Sequence, residues 1–138
     1  MLIIKLSLQS KKKEVAAFLE GLKNVLEGEY FNLNDDLIII RSSKRDDKRQ
    51  FSTPYTLLEL DYDAGDVAEC LKELTAEEYS ETLVDKDNVS PRLLFVFGKN
   101  INNKQVYIKL KLKENQIRQV LCVSFHYAEE KMRFPYGV

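Results

Sequence analysis

The sequence predicts an α+β domain in which helices pack on a mainly antiparallel sheet that ends in a three-strand meander. Apolar residues recur at helical spacing near residues 10–28 and 63–74, and they alternate with polar residues from residue 92 onward. The strand-like segments of the second half follow one another with only short turns between them. Because 138 residues suit a single compact core, we expect one domain over residues 1–138.

The first half of the chain predicts a strand, a helix and a hairpin. LIIKLSL is typical of a strand, and SKKKEVAAFLEGLKNVLEG predicts a helix with Ser10 as its N-cap and Gly28 at its end. EYFNLNDDLIIIRSS predicts two short strands joined by the turn LNDD. RSSKRDDKRQFSTP is highly charged and has no periodicity, so we interpret it as an exposed loop.

The second half predicts a helix and three strands. DAGDVAECLKEL predicts a helix capped by Asp66 with Glu69 three residues on, and TAEEYSETL repeats this spacing with Thr75 and Glu78, which indicates one more helical turn. RLLFVFG, KQVYIKLKLK and QVLCVSFH then predict three strands, joined by the turns NINN and ENQI.

The middle strand of these three has two chemically different faces. Its apolar residues alternate with Tyr107, Lys109, Lys111 and Lys113. We therefore expect one buried face and one strongly cationic face. The lysines could equally be solvated charges on a strand surface, and this is the interpretation we favour for Lys113, which lies nearest the turn.

The charge distribution also separates the two halves, although the net charge is -1. Residues 1–88 carry 12 Lys and Arg against 19 Asp and Glu, whereas residues 89–138 carry 9 against 3. Such asymmetry is typical of a chain with a surface that faces a polyanion. The alternative is that the lysines only protect exposed strand faces and edges.

Metal and cofactor sites are not indicated. One histidine and two cysteines in apolar patterns, Cys70 and Cys122, cannot supply zinc-ligand spacing, and the chain has no glycine-rich phosphate loop. Asp61, Asp63 and Asp66 could hold Mg²⁺, but their position at a helix start favours a capping role. We expect no metal and no cofactor.

Localisation in a reducing cytoplasm fits the two apolar-patterned cysteines. The basic cluster near the N-terminus follows the apolar stretch, which is the wrong order for a secretory signal. No apolar run approaches the length needed to span a membrane, so we expect no membrane partner.

His126, the only histidine, follows directly after the apolar alternation of QVLCVSF. A histidine titrates near neutral pH, so it could serve in general acid/base chemistry. It could also be a capping or surface residue at a strand end. Its predicted neighbours on the sheet, Tyr107, Lys109 and Lys99, favour the functional interpretation.

The segment LFVFGKNINNKQVYIKLKLKENQIRQVLCVSFHYAEEKMRFPY resembles the C-terminal half of toxins of the MqsR family, which belong to bacterial type II toxin-antitoxin systems and are related in fold to RelE-type mRNA interferases. The phrases VFGK, VYIK and SFH carry the resemblance. LLELDYDAGDVAECLKELTAEEY extends it upstream, so it covers residues 57–136 well. The resemblance implies a RelE-like domain.

The activity implied by this resemblance is metal-independent cleavage of single-stranded RNA, either free mRNA or mRNA on the ribosome. In such enzymes the 2′-hydroxyl attacks the adjacent phosphate, which leaves a 2′,3′-cyclic phosphate. The family's site residues fall on Tyr107 and Lys109, and on His126, where better-studied members have lysine. A cognate antitoxin protein is the implied partner.

Carried to this chain, the resemblance assigns catalytic roles to four residues. His126 is the acid/base, Lys109 and Lys99 stabilise the phosphate, and Tyr107 positions it. Glu81 stands where the family has a basic group, and Gly98 or Lys99 stands where it has glutamine. These two departures favour an alternative function, a non-catalytic RNA- or protein-binding module on the same fold.

Further RNA contacts are expected from the basic and aromatic residues near the end of the chain. Cations bind phosphates and rings stack on unpaired bases. The alternative for this segment is that Met132 and Phe134 pack into the core. The residues predicted to bind RNA are Lys111, Lys131, Arg133, Phe134 and Tyr136.

Overall fold

The computed structural model describes residues 6–41, 46–84, 93–114 and 118–137. These residues form an α+β structure with a single sheet of six strands and four α-helices. The helices are α1 (Lys12–Leu26), α2 (Leu33–Asp36), α3 (Thr53–Leu60) and α4 (Ala64–Lys72). The strands are β1 (Leu6–Leu8), β2 (Leu37–Ile39), β3 (Tyr79–Val84), β4 (Leu93–Ile101), β5 (Lys104–Glu114) and β6 (Arg118–Tyr127).

The sheet has the strand order β1-β3-β4-β5-β6-β2. All neighbours are antiparallel except β2 and β6, which run parallel. The predicted α+β class and mainly antiparallel sheet are therefore confirmed. Of the two turns predicted to join β4, β5 and β6, the first is seen at Asn102 and Asn103, both with positive φ of 53° and 66°, as a tight two-residue hairpin turn requires. ENQI lies largely outside the described residues.

One face of the sheet is covered by α1 and α4, and we call this the back face. Fully buried residues of both helices, such as Leu22 and Leu71, pack there against Phe97 and Ile108 of the central strands. Phe18 of α1 stacks on a ring of β4, with a centroid separation of 4.1 Å to Phe95. This helix-on-sheet layer is the hydrophobic core.

The predicted hairpin around LNDD is wrong. The Asn32 side chain accepts hydrogen bonds from the backbone of Asn34 and Asp35, at 3.0 and 3.2 Å, and Asp36 accepts one from the Asn32 N–H. These local bonds cap a helical turn, α2, instead of reversing a strand. The strand that follows, β2, crosses to pair in parallel with β6.

The segment interpreted as an exposed loop contains helical structure that the sequence analysis missed. Residues 46–51 form a 3₁₀ turn, and Ser52 caps α3 by accepting from the Tyr55 N–H at 3.3 Å. Ser52 followed by Pro54 in the first helical turn is a sequence signal for such a start. Residues 42–45 of the predicted loop lie outside the described residues.

Two predicted helix caps are also corrected. Lys11, not Ser10, is the N-cap of α1, because the Ser10 hydroxyl is buried against that of Thr82 at 2.6 Å. Asp63 caps α4 in place of Asp66, whose carboxylate accepts from the Asp63 N–H at 3.0 Å.

The remaining predictions for this part of the chain hold in outline. Thr75 and Glu78 form the predicted capping box around a single helical turn. The rest of TAEEYSETL, from Tyr79 on, belongs to strand β3, which the sequence analysis missed. The first strand is seen at Leu6–Leu8, and the earlier residues of LIIKLSL lie outside the described residues. Cys70 and Cys122 are free and buried, as their apolar patterns predict.

Helix α3 covers the part of β6 that β2 does not reach. The N–H groups of Phe125 and Tyr127 donate to the hydroxyls of Thr53 and Thr56, each at 3.1 Å. These bonds satisfy backbone donors that would otherwise form an open sheet edge. They also fix the end of β6, where His126 lies. Within the described part of the chain, no helix is long and apolar enough to cross a membrane.

Candidate functional site

The other face of the sheet, which we call the front face, carries Tyr107, Lys109 and His126 together. Tyr107 and His126 are direct cross-strand neighbours on β5 and β6, and Lys109 lies opposite Ser124. The rings of Tyr107 and His126 stack with centroids 5.1 Å apart and an interplanar angle of 13°. Three of the four residues assigned to catalysis are therefore adjacent.

A β-bulge in β6 directs His126 to this face. The pairing of β5 with β6 shifts between Lys109 and Leu110, so that Val123 is an extra residue on β6. Cys122 faces the core, and an unbroken alternation would send His126, four residues on, into the core as well. The extra residue reverses the alternation and turns the imidazole to the front face.

A second bulge does the same for Glu81 on β3. Tyr79 pairs with Phe97 and Glu81 pairs with Val96, so Ser80 is the extra residue. Tyr79 is fully buried in the core, yet Glu81, two residues later, lies on the front face. Each bulge therefore places one titratable side chain on the front face.

These residues line a groove of about 1030 Å³, which we call the front groove. Glu81, Tyr107, Lys109, Ser124 and His126 contribute to its lining. Residues 7–9 and 128–135 line it as well, so that the end of β1 and the C-terminal segment flank the sheet residues. A groove of this size accommodates a ligand larger than a single nucleotide's base.

Gly98 is the residue that allows the C-terminal segment to lie on the sheet. A Cβ at this position would come within 2.8 Å of Met132 Sδ and 2.8 Å of Phe134 Cζ. Any other residue would force the ends of these two side chains to shift. The close approach of these two side chains gives glycine a structural reason at this position.

The protonation states of the site groups follow from their surroundings. Burial, together with the nearby Glu81 carboxylate, raises the pKa of Tyr107 to about 12, so its hydroxyl stays protonated and can donate a hydrogen bond at any physiological pH. His126 Nδ1 lies 3.0 Å from the Tyr127 carbonyl oxygen. Because a carbonyl only accepts, Nδ1 carries the proton of this hydrogen bond.

The Glu81 carboxylate is held by a hydrogen bond from the Ser7 hydroxyl of β1. This bond links the outermost strand to the floor of the groove. Sequence analysis treated Glu81 only as a departure from a family pattern and missed it as a site residue. No local signal marked it, because TAEEYSETL has the spacing of a capping box and was interpreted as a helical turn.

Lys99, the fourth predicted catalytic residue, does not join this site. It follows Gly98 on β4 and therefore lies on the back face, where its ammonium group is 3.4 Å from the Glu78 carboxylate. The prediction that it shares a surface with Tyr107 is corrected. The ion pair instead ties β4 to the turn before β3.

The residues predicted to bind RNA are dispersed. Lys131 and Arg133 are exposed and line the front groove, together with the half-buried Phe134. Lys111 is only 7% exposed and does not line the groove. Tyr136 is structural, since it stacks on Tyr79 with centroids 5.9 Å apart and donates to the Ser10 carbonyl at 2.6 Å.

The chemistry available in the front groove is proton transfer and anion binding. It contains an imidazole, a carboxylate, a neutral phenol and three cationic side chains, the last from Lys109, Lys131 and Arg133. Glu129 and Glu130 add negative charge at its rim, so the groove is mixed in charge and not uniformly cationic. Among the described residues, no group of three or more His, Cys, Asp or Glu side chains is arranged to hold a metal ion.

Comparison of the chain with models of protein families, with curated proteins and with solved structures gives no match.

Proposed function

We propose that this protein is a metal-independent endoribonuclease of RelE-like fold ending in a three-strand meander, an MqsR-type toxin that cleaves single-stranded RNA. The stacked pair of Tyr107 and His126 beside Lys109 is the observation that carries this proposal. His126 supplies a proton-transfer group, Tyr107 a hydrogen-bond donor and Lys109 a cation. Tyr107 and His126 are paired on adjacent strands, and Lys109 is two residues from Tyr107. RNA cleavage by its own 2′-hydroxyl requires these same functions.

In the proposed reaction, the 2′-hydroxyl oxygen forms a bond to the adjacent phosphorus and the bond to the 5′-oxygen breaks. The Glu81 carboxylate takes the proton of the 2′-hydroxyl, and protonated His126 gives a proton from Nε2 to the leaving 5′-oxygen. Lys109 stabilises the charge that builds up on the phosphate, and the Tyr107 hydroxyl donates a hydrogen bond to it. The products are a 2′,3′-cyclic phosphate and a 5′-hydroxyl.

The biological setting belongs to the same proposal. An RNA-cleaving toxin in the cytoplasm requires control by a cognate antitoxin protein, and its substrate is mRNA, free or on the ribosome. The acidic first part of the chain, residues 1–88, is the proposed contact region for this partner. Co-expression with the product of the neighbouring gene tests this point, because suppression of toxicity supports an antitoxin and unchanged toxicity contradicts it.

The direct test is incubation of purified protein with end-labelled single-stranded RNA in the presence of EDTA. We expect cleavage, with a cyclic phosphate on one product and a hydroxyl on the other. His126→Ala with an unchanged melting temperature serves as the matched inactive control. Intact RNA after incubation with folded wild-type protein would contradict the proposal.

A second function is a non-catalytic RNA- or protein-binding module, and one observation favours its protein-binding form. Glu81, Glu129 and Glu130 line the same groove as the cationic residues, and this lowers its affinity for phosphate. Induced expression in a bacterial host separates the two functions. Growth arrest with loss of transcripts supports the nuclease, whereas normal growth with soluble folded protein and RNA or protein binding supports the module.

A further inference from the structure

A second groove, of about 450 Å³, lies where α3 meets the ends of β5 and β6, and we call it the side groove. Tyr127, which directly follows His126, lines it together with Phe51 and Tyr55. Consecutive residues at the end of β6 therefore point into different grooves, because side chains alternate along a strand. The reaction proposed above uses none of the side-groove residues.

Glu59 of α3 organises the aromatic lining of this groove. Its carboxylate accepts from the Tyr127 hydroxyl at 2.7 Å and from Lys104 Nζ at 3.1 Å, and Lys104 lies over the Tyr127 ring at 4.8 Å from the centroid. Hydrogen bonds from Tyr127, Lys104 and Tyr55 hold the pKa of Glu59 below its usual value. The Glu59 carboxylate and the Lys104 ammonium offset each other. Glu129 and Glu130 outnumber Lys131 in the rest of the lining, so the groove does not attract a phosphate.

The remaining lining groups suit a flat heterocycle. Phe51 and Tyr55 are half-buried rings that leave part of their surface open for stacking. Gln50 and Gln105 add carboxamide groups, each of which both donates and accepts hydrogen bonds at a base edge. Stacking on aromatic rings with hydrogen bonds to base edges is the usual way in which proteins bind single-stranded RNA.

The side groove and the front groove lie on either side of one short segment of the chain. Residues 128–131 line both, so only this short segment separates them. The segment is held in place by a hydrogen bond from the Ala128 N–H to the Gln105 carbonyl at 2.9 Å. A strand whose scissile phosphate lies beside His126 can therefore place a flanking nucleotide across this segment.

We infer that the side groove binds an unpaired nucleobase of the same RNA strand that occupies the front groove. This inference rests on the proposed function, because it assigns the flanking part of that substrate. It names Phe51 and Tyr55 as the stacking groups. It also predicts a preference for RNA long enough to reach both grooves.

The test measures binding without cleavage, with RNA that is fully 2′-O-methylated and therefore lacks the attacking hydroxyl. Wild-type protein is titrated with such an oligomer and with an abasic oligomer of equal length and charge. We expect the base-bearing oligomer to bind about 5- to 100-fold more tightly, the range given by stacking of one base on an aromatic side chain. Equal affinities would overturn the inference.

Phe51→Leu tests whether the contribution of the base to binding comes from the side groove. Leu58→Ala is the matched control, because Leu58 is 82% exposed on α3 and does not line the side groove. We expect Phe51→Leu to weaken binding of the base-bearing oligomer only, and Leu58→Ala to weaken neither. An equal loss for both oligomers would contradict the assignment to this groove. Cleavage of unmodified RNA is assayed separately, so base-dependent binding without cleavage would reject the nuclease and retain the base site.

Discussion

The two faces of the sheet are formed by the same strands, yet one is covered by apolar packing and the other carries a polar groove. On the back face, Phe95 and Phe97 of β4 pack with Phe18 and Tyr79, with ring centroids 4.1 to 6.3 Å apart, under the helices. On the front face, β4 presents Gly98 to a segment without regular secondary structure, and polar groups line a groove. Burial of apolar side chains, as on the back face, stabilises a fold. Titratable side chains in a groove, as on the front face, are typical of a functional site.

This difference leads us to expect that stability and activity can be changed separately. Substitutions on the back face should lower the free energy of unfolding, and substitutions in the front groove should lower the rate of RNA cleavage. Each prediction below tests this separation at one position.

The largest effect is expected for His126. If the imidazole donates the proton, His126→Ala should lower the cleavage rate by about 10²–10⁴-fold with little change in melting temperature. His126→Lys is the informative companion in rate measurements from pH 5 to 9, because retained activity at pH 8 would show that the residue supplies only charge.

Phe97→Ala tests the back face. Phe97 is fully buried between the rings of Phe18 and Tyr79, so its truncation should lower the free energy of unfolding by about 3–5 kcal/mol. Urea denaturation measures this loss. The variant fraction that remains folded should cleave RNA at close to the wild-type rate, and a large rate defect in that fraction would show that the two faces are coupled.

Lys109→Gln is compared with Lys113→Gln on the same strand. Removal of a charge placed at the reacting phosphate should lower the cleavage rate by about 10²–10³-fold. Lys113 lies further along β5, opposite Gln119 and away from His126, so its substitution should have little effect. Single-turnover cleavage rates of the two variants make the comparison. Equal rates would show that Lys109 has no catalytic role and is an ordinary surface lysine.

Gly98→Ala tests the contact between the front face and the C-terminal segment. The added methyl group meets Met132 and Phe134 at less than 3 Å, so we expect a loss of about 1–3 kcal/mol in the free energy of unfolding. Hydrogen exchange should show faster exchange in residues 128–137. Unchanged exchange there would mean that the segment does not depend on this close approach.

The smallest expected effect is the alkaline sensitivity conferred by Tyr107. Its pKa rises from 10.0 to about 12 on folding, so the folded state favours the protonated phenol. That contribution is complete below pH 10 and is lost as the pH rises from 10 to 12. Over this interval the free energy of unfolding of the wild type should therefore fall by about 1–2 kcal/mol more than that of Tyr107→Phe. Urea denaturation of both proteins at pH 9 and pH 11 measures this difference, and an equal change in the two proteins would contradict the assignment.

The sequence by itself determined the elements whose signals are local. The periodicity of residues 12–26 and 64–72 predicts α1 and α4, and alternation predicts β4, β5 and β6 with Tyr107 and Lys109 on one face. Alternation did not decide the face on which Lys99 lies, because β4 is apolar on both faces from Leu94 to Phe97. The pairing of Lys99 with the core residue Val106 placed it on the back face.

The tertiary structure alone decided the composition of the site. The bulges at Ser80 and Val123 depend on register with neighbouring strands, and no local sequence pattern reveals them. They reverse the side-chain alternation and so turn Glu81 and His126 to the front face. The parallel pairing of β2 with β6 and the packing of residues 132 and 134 over Gly98 are likewise contacts between distant parts of the chain. Such contacts are set by the shape of the folded partner, and for this reason the sequence indicated the groups for chemistry while the fold decided which of them meet.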